Sequence, residues 1–204
     1  MPPFSSRVYL LRHGELIEQG VLAGQTDFLL SELGRAQLHQ ACNELTNIEL
    51  VQSSTLKRCS EFARSFSHAQ QIPLFLTDQL REFNFGDWDG CKYDYLWQQT
   101  DPPSLGDFWQ SPWQVTPPHG ESMRDFYQRI ATWWQTLLID IASNHTQAQL
   151  VLTHAGVIKQ LLGIICQLPK ESNQQNIFSI GYGKLICIDI YIDDSDKAWP
   201  RIVF

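Results

Sequence analysis

Val8-Tyr9-Leu10-Leu11-Arg12-His13-Gly14-Glu15 decides how the chain is read. The four leading apolar residues predict a short buried strand over 8–11, stopped abruptly by charge. A guanidinium and an imidazole then stand side by side where a strand opens into a loop. Gly14 predicts a sharp turn there and room for a ligand to approach closely. In open α/β sheets, ligands bind in the crevice outside the carboxyl ends of the strands. The rest of the chain is therefore read for the same device, an apolar strand running straight into polar functional side chains.

Three segments repeat it. Residues 48–51 predict a second strand ending at Ser53-Ser54, and the helix that starts near Thr55 carries Arg58 in its first turn. Pro73 breaks the chain before Leu74-Phe75-Leu76, a third strand that leads into Leu80-Arg81-Glu82-Phe83. Residues 149–153 form another apolar strand, followed by His154-Ala155-Gly156 and a helix over 157–168 that Pro169 ends. Ser31 is the N-cap of a helix over 32–45, striped by Leu38, Ala41, Cys42 and Leu45. A long helix over about 122–142 repeats Phe126, Ile130, Trp133, Leu137 and Ile141 every three or four residues. The last strands are expected at 184–192 and 201–204.

Strands alternating with helices predict an α/β fold, a three-layer sandwich with a mostly parallel central sheet flanked by helices. Residues 1–204 make a single domain of a size that supports a substantial core. Residues 84–121 carry five prolines between Pro102 and Pro118, together with Trp88, Trp97, Trp109 and Trp113. That segment is too aromatic for disorder and is expected to be a loop-rich cap over the active site.

The net charge of -7 disfavours nucleic acid and anionic membranes as partners, so an anionic substrate needs local basic residues. No run of ~18 apolar residues predicts a membrane span, and residues 1–7 lack a signal-peptide profile. Cys42, Cys59, Cys91, Cys166 and Cys187 are odd in number and unpaired in spacing, which predicts reduced thiols and a cytoplasmic protein.

In a parallel sheet the four strand ends share one edge, which gathers Arg12, His13, Arg58, Glu82 and His154 in one crevice. Each has a plainer explanation alone, as a solvated helix residue or a hydrogen-bonded strand-end histidine. Together they suit a phosphoryl group. Arginine donates forked hydrogen bonds to phosphate oxygens, and helix N-termini at Ala155-Gly156 and near Lys57-Arg58 add amide donors. A cationic surround lowers a histidine's pKa and leaves one ring nitrogen free as a nucleophile. A carboxylate is no phosphate ligand, but it serves as a general acid for the leaving alcohol. A zinc site is the weaker alternative, because no His-x-x-x-His pairing occurs and adjacent arginines repel a metal.

These residues resemble the histidine phosphatase superfamily, the phosphoglycerate-mutase-like proteins, over nearly the whole chain. The signature Leu11-Arg12-His13-Gly14-Glu15 is supported by Gly24-Gln25-Thr26-Asp27, Ser53-Ser54-Thr55-Leu56-Lys57-Arg58, Leu80-Arg81-Glu82-Phe83 and Thr153-His154-Ala155-Gly156. The resemblance implies a phosphoglycerate-mutase-like fold, with His13 as the nucleophile that becomes phosphohistidine and Glu82 as proton donor. Arg12, Arg58 and His154 would hold the phosphoryl oxygens. It implies no metal or organic cofactor, takes a small phosphorylated molecule as partner, and leaves a homodimer open. Within the family the likeness is greatest to bacterial alpha-ribazole phosphatases of cobalamin biosynthesis. It rests there on Phe85-Gly86-Asp87-Trp88-Asp89-Gly90 and on Pro117-Pro118-His119-Gly120-Glu121-Ser122. Alpha-ribazole 5′-phosphate is then the expected substrate, with Gln25, Ala155 and Glu121 among its ligands. Gln25 would replace an asparagine that the family carries where Leu16-Ile17-Glu18-Gln19 stands, and His119 is either a pocket residue or an exposed loop histidine. A broad-specificity phosphatase, a phosphoglycerate mutase and a phospho-ligand binding module remain alternatives. The short middle segment and the presence of both nucleophile and acid disfavour the last two.

Overall fold

The computed structural model describes residues 2–171 and 174–203. Six strands form one sheet: β1 (Phe4–Arg12), β2 (Leu50–Ser54), β3 (Leu74–Thr77), β4 (Ala148–Thr153), β5 (Leu185–Ile192) and β6 (Ala198–Val203). Their spatial order is β3-β2-β4-β1-β5-β6. β3, β2, β4 and β1 run parallel, whereas β5 is antiparallel to both β1 and β6. The sheet is mostly parallel and flanked by helices, as expected.

The helices are α1 (Glu32–Cys42), α2 (Lys57–Gln70), α3 (Tyr93–Gln98), α4 (Leu105–Gln110), α5 (Met123–Asn144), α6 (Ala155–Ile165) and α7 (Gln174–Ile177). Ser31 and Ser122 cap α1 and α5 by accepting from the amides of Gly34 and Asp125. Central strands of a parallel sheet are covered on both faces, and β4 is buried along its whole length. On one face Val8, Leu10 and Val151 pack with Phe126, Ile130 and Ile158 of α5 and α6. On the other, Leu11, Leu150 and Leu152 pack with Leu38 and Phe62 of α1 and α2. Each fully buried aliphatic side chain contributes on the order of 1.5–3 kcal/mol. Phe83 and, from the middle segment, Phe85, Trp88 and Phe108 join the first of these cores. Among the described residues no helix is long and apolar enough to cross a membrane.

Several boundaries differ from the sequence expectation. The second strand lies at Leu50–Ser54 rather than 48–51. Its polar residues are paired inside the fold: Gln52 bonds Gln149 at 3.2 Å, and the backbone of 51–54 pairs with β3. The last strand begins at Ala198 rather than Arg201, because residues 198–203 pair with β5, and Phe204 lies outside the described residues. α1 stops at Cys42, where Asn43 caps it, short of Leu45.

Gly14 serves a purpose different from the one expected. A Cβ there would meet the carbonyl oxygen of Gly34 at 2.0 Å, and a Cβ on Gly34 would meet that of Glu15 at 2.1 Å. The glycine therefore lets the strand end pass backbone-to-backbone against the start of α1, rather than clearing space for a ligand.

Candidate active site

Where β1 ends, the ladder continues for one residue: the amide of His13 donates to Thr153 O at 3.0 Å. This pairing sets His13 beside His154, the N-cap residue of α6, with ring centroids 5.2 Å apart. His13 is 3% exposed, and its Nδ1 lies 2.8 Å from Gly14 O. A carbonyl oxygen only accepts, so Nδ1 carries the proton and the lone pair is on Nε2.

Arg58, in the first turn of α2, is fully buried. Its Nε donates to His154 Nδ1 at 3.2 Å, its Nη1 to Thr26 O at 2.8 Å, and its Nη2 to Gly24 O. His154 Nδ1 is therefore an acceptor, and the Nε2–H of His154 donates to Ser54 Oγ at 2.8 Å. The loop that receives Arg58 is held in turn by Asp89, whose carboxylate accepts from the amides of Gly24, Gln25 and Thr26.

Arg12 is gripped from the other side. Its Nη1 donates to Ile180 O at 2.6 Å, and its guanidinium lies 4.0 Å from the centroid of the Tyr182 ring. Its Nε is buried without a partner among the described residues. An orphaned guanidinium donor costs free energy unless an acceptor arrives.

Glu82 is buried at the edge of the same space. The amides of Phe83 and Gly156 donate to Oε1 and Oε2, each at 3.0 Å. Arg129 donates to the carbonyls of Gln79 and Arg81 at 2.7 and 2.8 Å, which braces the segment on which Glu82 is carried.

Burial and the charges of Arg58 and Arg12 push His13 well below the usual imidazole range. Burial, followed by Arg58 and His13, does the same to His154. Both rings are therefore neutral near pH 7. Burial pushes the Cys59 thiol up to about 12, so this neighbour of His154 is an inert thiol.

A cavity of about 330 Å³ opens over these groups, lined by Arg12, His13, Glu82, Ala155 and Gly156 together with an aromatic wall that includes Phe85 and Trp109. Of the expected site residues, His13, Arg12, Glu82 and Ala155 face this cavity, with His154 and Arg58 buried behind. Gln25 and Glu121 are not in its lining. The Gln25 side chain donates to Glu82 O at 3.3 Å, and Glu121 accepts from Arg129 at 2.7 Å and from Asn84 N at 2.8 Å. Both brace the acid-bearing segment. His119 is exposed and bonded to Asp87 at 2.9 Å, also outside the cavity.

Sequence reasoning missed Tyr182 and Lys159, which also line the cavity. Tyr182 sits in an aperiodic stretch with no readable signal. Lys159 was legible in principle, since it lies four residues after Ala155 and hence on the same helix face.

A sequence model of the histidine phosphatase superfamily (branch 1) matches residues 8–195. The chain belongs to this superfamily. Among similar histidine phosphatases, the adenosylcobalamin/alpha-ribazole phosphatase of Escherichia coli is 29% identical over 189 residues, covering 90% of each chain. The glucosyl-3-phosphoglycerate phosphatase of Mycolicibacterium vanbaalenii is 28% identical over 174 residues, covering 81% of this chain and 76% of its own. The solved structure of Bacillus stearothermophilus YhfR superposes with a TM-score of 0.82 at 25% identity, covering 97% of this chain and 96% of that one.

Proposed function

We propose that this histidine phosphatase is a phosphomonoesterase working through a phosphohistidine on His13. The observation that carries the reading is the tautomer: Nδ1–H is spent on Gly14 O, so Nε2 presents its lone pair inside the cavity. Nε2 attacks phosphorus, the bond from phosphorus to the alcohol oxygen breaks, and Glu82 gives its proton to that oxygen. Water then attacks the phosphohistidine, losing a proton to the Glu82 carboxylate, and the N–P bond breaks to release inorganic phosphate. Arg12, which lines the cavity, supplies a guanidinium N–H to a phosphoryl oxygen. Arg58 and His154 act from behind His13: the guanidinium charge favours the anionic phosphoryl group and keeps the nucleophile unprotonated. Ala155 bounds the phosphoryl site where α6 begins.

For the alcohol, the reading is alpha-ribazole 5′-phosphate, which would place the enzyme in cobalamin biosynthesis. The aromatic wall that includes Phe85 and Trp109 supports it, because a flat base stacks on such faces. Residues 84–121 are accordingly proposed as a cap over the substrate. Turnover of a radiolabelled phosphomonoester quenched in alkali tests the chemistry. An acid-labile label is expected on the wild type and none on His13→Ala. Label persisting in that variant refutes the covalent role. Comparing kcat/KM for alpha-ribazole 5′-phosphate and ribose 5-phosphate tests the alcohol, and equal values would refute the stacking argument.

A further inference from the structure

Arg58 is fixed by the carbonyls of a loop that is itself fixed by a carboxylate of the middle segment. Asp89 follows the short helical turn Gly86–Trp88, and its two oxygens accept three amides. Oδ1 takes Gly24 N–H at 3.2 Å and Thr26 N–H at 3.0 Å, and Oδ2 takes Gln25 N–H at 2.5 Å. The peptide unit between Gly24 and Gln25 is shared: its N–H donates to Asp89, and its C=O accepts from Arg58 Nη2. In a trans peptide these two groups point in opposite directions, so one peptide dipole lies between a carboxylate and a guanidinium in the favourable sense. Charged partners at both ends polarise the unit the same way, and each bond strengthens the other.

The surroundings leave this arrangement little freedom. Gly90 N donates to Leu22 O at 2.8 Å, Leu22 N to Cys91 O at 2.9 Å and Tyr93 N to Gly20 O at 2.9 Å, which zips the loop to the middle segment. A Cβ on Gly24 would meet Asp89 Oδ2 at 2.3 Å and Phe83 O at 2.5 Å, so loop and carboxylate sit too close for any side chain there. On the far side, Thr26 O takes Arg58 Nη1 at 2.8 Å. Asp27 accepts from the amide of Lys57, the first residue of α2, at 2.6 Å, and so caps a helix whose N-cap residue Leu56 makes no side-chain cap bond. The loop thus sets both the guanidinium and the start of the helix that bears it. On the near side, Trp88 lies against Phe108 at 6.2 Å between centroids, and Phe108 against Trp109 at 5.2 Å, so the aromatic wall of the cavity packs on the residue before Asp89.

We propose that Asp89 is a positioning residue that fixes the guanidinium of Arg58 through the peptide between Gly24 and Gln25, and so ties phosphoryl binding to the placement of the aromatic wall. This rests on the phosphomonoesterase reading, in which Arg58 favours the phosphoryl group, and the two are tested separately. Affinity for inorganic phosphate is measured by calorimetry in wild type, Asp89→Asn, Arg58→Lys and the double variant. Asparagine keeps the size of the side chain but turns one acceptor oxygen into a donor facing amide hydrogens. Asp89→Asn should weaken phosphate binding roughly 5- to 150-fold, the usual range for coupled groups. In the Arg58→Lys background the same substitution should cost little more, because the fork that the loop holds is already gone. Losses that simply multiply in the double variant overturn the proposal, since Asp89 then acts independently of Arg58, and so does unchanged phosphate binding by Asp89→Asn. Asp89→Glu, which keeps the charge on a stem one methylene longer, is carried through the same cycle in case the asparagine variant does not fold, and it should show the same dependence on Arg58 with a smaller loss. Phosphate release from nitrophenyl phosphate is assayed in parallel. Coupled losses of phosphate binding without turnover by the wild type would keep the Asp89 assignment and refute the hydrolase reading alone, and a wild type that binds no phosphate overturns both.

Discussion

Gly156→Ala isolates the geometry of the acid. Gly156 is the second residue of α6, and a Cβ built on it would lie 2.3 Å from Glu82 Oε1. Ordinary van der Waals contact begins at 3.4 Å, so the carboxylate oxygen must retreat by about 1.1 Å, the difference of the two distances. The carboxylate is the far end of a flexible side chain, so it moves while the backbone stays. Alanine itself favours the helix over glycine by about 1 kcal/mol, and thermal unfolding should therefore show little net loss. Catalysis should suffer, because a displacement of about 1 Å at a reacting group costs on the order of 100-fold. The loss should depend on the leaving group. An alkyl phosphate such as ribose 5-phosphate needs a proton on its departing oxygen, the role proposed for Glu82, whereas nitrophenyl phosphate leaves as a stable phenolate. Steady-state kcat/KM should fall roughly 100-fold for the alkyl ester and several-fold at most for the aryl one. If both substrates slow by one factor, Glu82 acts in a shared step or Gly156 acts elsewhere, and the general-acid argument fails. No change for either would mean that the carboxylate position does not matter.

Arg58→Lys keeps the charge but has one nitrogen for three acceptors, His154 Nδ1, Thr26 O and Gly24 O. Turnover efficiency should fall roughly 10- to 200-fold, about 1.5–3 kcal/mol, and a fully active variant would remove Arg58 from the site. Acidification should destabilise the fold through His13 and His154, which are buried and held below the 6.5 of a free imidazole. Their contribution is complete above that value and is lost as pH falls beneath it, because the unfolded chain then binds protons that the native one refuses. Lowering the pH through that value should therefore reduce the stability read in denaturant titrations. A His13→Gln variant should lose about half of that dependence, and an unchanged slope would show that His13 is not held neutral.

The convergence of Arg12, His13, Arg58, Glu82 and His154 was legible because each sits where a pattern of local residues changes. Apolar runs end at Arg12-His13 and at His154, and in a parallel sheet such ends meet on one edge whatever the loops do. The helix stripes of α1 and α5 were legible for the same reason, since a period of three to four residues is a property of the segment itself. What the sequence could not supply is the direction in which the groups between those patterns point. Gln25 and Glu121 were expected on substrate, yet their partners, Glu82 O and Arg129, are reached only through the packing of distant segments. The shift of β2 to Leu50–Ser54 has the same origin, because a polar Gln52-Ser53-Ser54 becomes a strand only when β3 and β4 bond it from both sides. Gly14 and Gly34, twenty residues apart, each have a glycine because the other backbone lies against it. The tautomer of His13 likewise depends on a single carbonyl, Gly14 O, whose placement only the folded chain decides. Sequence pattern thus determined which residues reach the sheet edge, through hydrophobic periodicity. Tertiary packing decided which of their atoms are left free to react, because hydrogen-bond partners are assigned by contact in space and not by distance along the chain.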